Sequence, residues 1–199
     1  MGAQFQLVVK GKATYPNFSV EGIGVHYTDH NTPYGPFETT EDYEMFVLHA
    51  KPAGQLFMDT LENRAKANPD GRELAKSAAE VDWEDFGIQR LRKKVLFDEP
   101  SGLKAEIIQV PAGEHVRFGP APFGRYEIVA EGTAIVAGTT LTPYNLRYTV
   151  GEDAAAPIVA GPNGLALVML LYDEDASKSY GGSITERLLQ IEDESNGGR

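Results

Sequence analysis

The chain has 199 residues, no cysteine and a formal net charge of −11 at pH 7. Without cysteine there are no disulfides, thiolate metal sites or cysteine nucleophiles. The acidic balance argues against nucleic acid and anionic membrane as partners, and 42% hydrophobic residues supply the material of a packed core.

Residues 1–58 read as β with several turns. Short apolar runs lie at 5–9 and 20–27, the second with Gly22 and Gly24 inside it. The first run is too short for a signal peptide or a spanning helix. Gly2 lacks the Ser or Thr at position 6 that myristoylation requires, since Gln6 stands there. A cytoplasmic location is expected. Pro33, Gly35 and Pro36 mark 31–37 as loop, and 43–49 reads as a strand. Residues 55–86 read as a helical insert, with Leu56, Phe57, Leu61, Ala65 and Ala67 at roughly helical spacing. The run 68–71 breaks the pattern, and Leu74, Ala78 and Val81 resume it, so two short helices are expected. Residues 88–172 return to β, with strands expected at 95–97, 103–110, 125–131, 133–136, 146–150 and 165–172. Turn signals fall between them at 100–102, 111–113, 119–120, 138 and 161–164. The tail from 173 is polar, with one amphipathic run at 184–191 that reads as a helix.

Residues 103–172 resemble a cupin, the small jelly-roll barrel. The resemblance rests on Pro111-Ala112-Gly113, on the strand from Arg125 that ends in Glu131-Gly132, on Gly138-Thr139-Thr140-Leu141, and on the closing run 165–171. It implies a mainly β fold: one domain over 1–199, a cupin-like jelly-roll barrel with extra N-terminal strands and two or three short helices. It also implies where metal ligands would stand. The two histidine positions of a metallocupin's first motif fall on Gly119 and Ala121, and the glutamate position falls on Arg125. No histidine follows His115, so the last ligand has no counterpart. The expectation is a barrel without the usual metal cage, hence no cofactor. A guanidinium at Arg125 would repel a divalent cation and attract a carboxylate, enolate or phosphate.

Three groups of residues are candidates for chemistry. His26 and His30 are possible metal ligands, with His49 and His115 elsewhere in the chain. On a strand, residues four apart lie about 13 Å from each other, so His26 and His30 share a divalent transition metal only if the chain turns between them. The alternative is a pair of histidines that cap turns. The second group is Arg125, Glu127 and Tyr148 as catalytic residues, with Arg125, Tyr126, Arg147 and Phe123 binding the ligand. Period two puts Arg125 and Glu127 on one face and Tyr126 and Ile128 on the other. The pattern leaves open which face lines the barrel; if it is the first, Arg125 must be paired, with Glu127 the nearest partner in sequence and Glu106 the next. The third group is Tyr34, Phe37, Tyr43, Phe46, Phe118 and Phe123, which either rim an apolar pocket or anchor loops. The basic run 90–94 is read as pairing with the acidic stretch 80–85 rather than with nucleic acid.

The leading expectation is a metal-free cupin-like protein that binds, or converts by isomerase or lyase chemistry, a small anionic or oxygenated molecule. One rival is a metal-dependent dioxygenase or lyase that uses the N-terminal histidines. The other is a non-catalytic ligand-binding or structural protein. A homodimer is expected through an exposed edge strand.

Overall fold

A computed structural model of the chain describes residues 2–50, 68, 71–86, 90–151 and 155–177. Strands dominate. The N-terminal part carries β1 (Gln4–Lys10), β2 (Lys12–Thr14), β3 (Ser19–Glu21), β4 (Gly24–Thr28), β5 (Glu38–Thr39), β6 (Glu44–His49) and β7 (Glu73–Ser77). The C-terminal part carries β8 (Glu84–Phe86), β9 (Leu91–Asp98), β10 (Lys104–Val110), β11 (His115–Val116), β12 (Ala121–Val136), β13 (Thr139–Leu141), β14 (Leu146–Gly151) and β15 (Ile158–Leu171). A four-residue helix, Glu174–Ser177, follows β15. No helix among the described residues is long and apolar enough to cross a membrane.

The helical insert does not hold over its second half. Glu73–Ser77 is a strand that pairs antiparallel with β4, and only Ala78–Glu80 forms a 3₁₀ turn. Local spacing of Leu74 and Ala78 suggested a helix, but the exposed edge of β4 captures the segment, a tertiary override of a weak local pattern. The N-terminal unit therefore reaches past residue 58 to Ser77, and the C-terminal sheet starts at Glu84 rather than 88. The helices expected at 55–67 and 184–191 lie outside the described residues.

The described residues form three sheets. One has the order β6-β1-β4-β7, a second β3-β2-β5, and the largest β13-β12-β15-β10-β9-β8, with β14 beside β12 and β11 beside β15. The first sheet is built on alternation along β1 and β4. Phe5, Leu7, Val25, Tyr27 and Leu48 face the large sheet and join Ile107, Ile128, Val168, Leu170 and Tyr172 in one buried cluster. The large sheet has a second buried face. Ile108, Val129, Leu167 and Met169 pack there against Ala134, Ile158, Ala160 and Leu165 from the far halves of the same long strands. The sheet thus curls over on itself and encloses an interior.

Glycine shapes β12 at two points. At Gly132, φ is +74°, and an added Cβ would stand 2.1 Å from the Gly164 carbonyl oxygen. Only glycine lets the two backbones approach so closely, where the β12–β15 register shifts. At Gly124, φ is +99°, and the register with β14 shifts between Ala121 and Arg125. That irregularity breaks the alternation, and Phe123 falls on the opposite face from Arg125.

Candidate functional site

Arg125 and Glu127 are 2% and 1% exposed and lie on the enclosed face of the large sheet. Cross-strand register extends their rows. Lys104, Leu171, Arg125 and Thr149 face one another across β10, β15, β12 and β14, and Glu106, Met169, Glu127 and Arg147 form the next row. These two rows hold three cations and two carboxylates, in a chain whose overall charge is −11.

Glu127 is the hub. Arg125 donates from Nε to its Oε1 at 2.7 Å, Arg147 donates from Nε to its Oε2, and the Thr149 hydroxyl approaches Oε2 at 3.4 Å. Arg125 Nη1 also donates to the Gly119 carbonyl at 2.9 Å, and its guanidinium lies over the Phe118 ring, 4.9 Å from the centroid. Arg147 Nη1 donates to the Ala156 carbonyl. Each guanidinium keeps one buried nitrogen, Nη2, with no hydrogen-bond partner. Glu106 serves Lys93 and Lys104 at 3.6 and 3.7 Å.

The other residues grouped with Arg125 by sequence are not beside it. Tyr126 and Phe123 pack in the cluster against the N-terminal sheet. Tyr148 stands opposite Tyr126 with ring centroids 4.7 Å apart, so it shares that face and not the face of Glu127. Tyr126, Tyr148 and Tyr172 donate to the carbonyls of His49, Ala50 and Leu48, which pins the end of β6 to the large sheet. Burial raises the pKa of all three phenols.

His26 and His30 do not meet. His26 lies on β4, fully buried, with Nδ1 2.9 Å from Gln6 Oε1 and Nε2 3.1 Å from Glu73 Oε1. Burial lowers its pKa to about 4 and raises that of Glu73. His30 accepts at Nδ1 from the Ala3 amide, and its Nε2 is 2.9 Å from the Ala176 carbonyl. With both ring nitrogens committed to backbone, His30 has no lone pair left for a metal. Among the described residues no three His, Asp or Glu side chains are grouped to hold a metal ion. Gly119, Ala121 and Arg125 offer two side chains without donor atoms and one cation, and do not fit a divalent metal.

Of the aromatic set, Tyr34, Phe37 and Tyr43 gather with Tyr15 and Phe18 in a small cluster between the two N-terminal sheets. Phe46 faces Tyr144, and Phe118 covers Arg125. The basic run is paired as expected where Arg92 meets Asp85 at 3.6 Å, while Arg92 and Lys94 lean on Trp83.

Two features escaped the sequence. Arg72 binds Asp29 through Nε and Nη2 and Asp173 through Nη1, joining the end of β4 to the end of β15. Burial alone would raise Asp29 and Asp173, but hydrogen bonds from Arg72 outweigh it and hold both below the usual carboxylate range. These residues are far apart in sequence, and no local signal marks them. The second feature is the polar face of the first sheet, Gln4, Gln6, His26, Thr28 and Glu73. Its signal was present as polar residues alternating with Phe5, Leu7, Val25 and Tyr27.

No family model and no curated protein matches the sequence. Solved structures do match. A candidate dioxygenase from Nostoc punctiforme superposes with a TM-score of 0.65 at 14% identity, over 90% of this chain and 64% of that one. This chain thus spans under two thirds of that protein's length. Quercetin 2,3-dioxygenase from Acinetobacter baumannii gives 0.56 at 13% identity, over 98% of this chain and 75% of that one. A Geobacillus kaustophilus protein gives 0.57 at 9% identity, over 89% and 76%. At such identities the likeness is one of fold. With its antiparallel sheets and its largest sheet curled into an enclosed interior, the chain has a cupin-like jelly-roll fold.

Proposed function

We propose that the interior of the large sheet binds a small organic anion through Arg125 and Arg147, without a metal at that position. One observation carries this reading. The buried guanidinium of Arg125 and the half-buried one of Arg147 share one carboxylate, and each keeps a buried Nη2 without a partner. A buried cation with a free donor is costly unless a ligand completes it. Two such donors suit the two oxygens of a carboxylate, and Arg is the side chain that reads that geometry.

Binding is the reading we prefer over conversion. An isomerase or lyase needs a group that gives or takes a proton at the ligand. The oxygens of Glu127 are occupied by Arg125, Arg147 and Thr149, which suits a positioning role. Tyr148 stands on the opposite face.

The test is calorimetric titration with benzoate and with inorganic phosphate. We expect saturable benzoate binding to the full chain. Arg125→Met and Arg147→Met should each abolish it, and Arg125→Lys should restore part of it, because a point charge cannot make a bidentate contact. Undiminished binding in both methionine variants would overturn the proposal.

A further inference from the structure

We propose that the face of the four-stranded sheet turned away from the large sheet is a second binding site, for an uncharged organic molecule carrying hydroxyl or carbonyl oxygens. Register places two polar rows there. Val47, Gln6, His26 and Ala75 lie side by side across β6, β1, β4 and β7, and His49, Gln4, Thr28 and Glu73 form the adjacent row. Gln4, Gln6, His26 and Thr28 are at most 2% exposed. A buried polar face is the informative departure in a sheet whose other face carries Phe5, Leu7, Val25, Tyr27 and Leu48 in the core.

Part of this face is satisfied internally. Gln6 Oε1 takes the Tyr15 hydroxyl at 2.8 Å and faces His26, which in turn meets Glu73. A structural network would close the second row as well. It does not. Thr28 Oγ1 and His49 Nδ1 are buried without a partner. Tyr34 accepts from Gln4 Nε2 at 2.7 Å, which leaves its own proton to donate. Thr28 and His49 stand on strands separated only by β1, hence about 10 Å apart, the span of a single-ring molecule lying over Gln4. The rings of Tyr15, Phe18 and Tyr34 surround His26 at 4.6, 5.2 and 5.3 Å and supply apolar walls.

Charge sets the ligand class. Neither row contains Lys or Arg, and its one carboxylate, Glu73, would repel an anion. The preference is therefore opposite to that of the Arg125 face, and this inference does not depend on that reading.

Benzamide and benzoate have the same shape and differ in charge, so together they separate the two sites. On the full chain, benzamide should shift the backbone amide NMR signals of Gln4, Thr28 and His49, and benzoate those around Arg125. Thr28→Val keeps the shape and removes the orphan hydroxyl. It should weaken benzamide about tenfold, leave benzoate unchanged, and raise the melting temperature of the free protein. His49→Phe should weaken benzamide in the same way. Benzamide shifts absent from this face, or an affinity that neither substitution changes, would overturn the inference.

Discussion

Glu127→Gln tests the charge balance of the large sheet's interior. Glu127 is 1% exposed and is, among the described residues, the carboxylate that pairs with both Arg125 and Arg147. The substitution keeps the volume and one carbonyl oxygen but removes the counter-charge of two guanidiniums. Breaking a buried pair by removing one partner costs about 3–5 kcal/mol. The retained oxygen, and the 17% exposure of the Arg147 side chain, place the expectation at the lower end, about 3 kcal/mol. For a chain of this size that corresponds to a fall in melting temperature of roughly 6–12 °C. The same change raises the excess charge of the two rows from one to two, so an anion should bind more tightly. Urea unfolding with and without benzoate reads both effects. The variant should be less stable than the parent, and benzoate should recover more stability in it than in the parent, because ligand stabilisation grows with affinity. A loss below about 1 kcal/mol would show that the guanidiniums are already solvated. Equal benzoate stabilisation in variant and parent would show that the anion does not sit between them.

Two further outcomes follow from other parts of the fold. His26 has its pKa lowered by burial from 6.5 to about 4, so the unfolded chain binds the extra proton first as pH falls. Its contribution, up to about 3 kcal/mol, is complete above pH 6.5 and is lost between there and about pH 4. The raised Glu73 works in the opposite sense and softens the slope. Denaturant midpoints followed from pH 7.5 to 4 should therefore fall less for His26→Gln than for the parent, and parallel curves would refute the assignment. Asp173→Asn removes a carboxylate whose side chain is 1% exposed and paired with Arg72. Thermal unfolding should show a loss of about 2–3 kcal/mol, discounted for the partly exposed Arg72, and a change within 0.5 kcal/mol would mean the tie is not used.

Much of the β architecture was legible because it depends on local pattern. Alternating residues and turn glycines marked 103–110, 125–131, 133–136 and 165–172 as strands, and the run from Arg125 to Gly132 helped carry the resemblance to the cupin fold. That Gly119, Ala121 and Arg125 stand where the resemblance would put metal ligands was likewise an expectation drawn from the sequence. What the sequence left open was decided by contacts between distant segments. Period two could not say which face of β12 is enclosed, because both faces are buried, one by the N-terminal sheet and one by the curl of the large sheet itself. Gly124 broke the alternation that would have joined Phe123 to Arg125. The pairing of β14 set Arg147 opposite Glu127 and sent Tyr148 to the far face. The segment 73–77 read as helix became a strand because β4 offered it an edge. Arg72 met Asp29 and Asp173 only because β4 and β15 end side by side. Residue types and spacing determine which strands this chain can form; the register between strands, set by packing on two buried faces, decides which side chains meet.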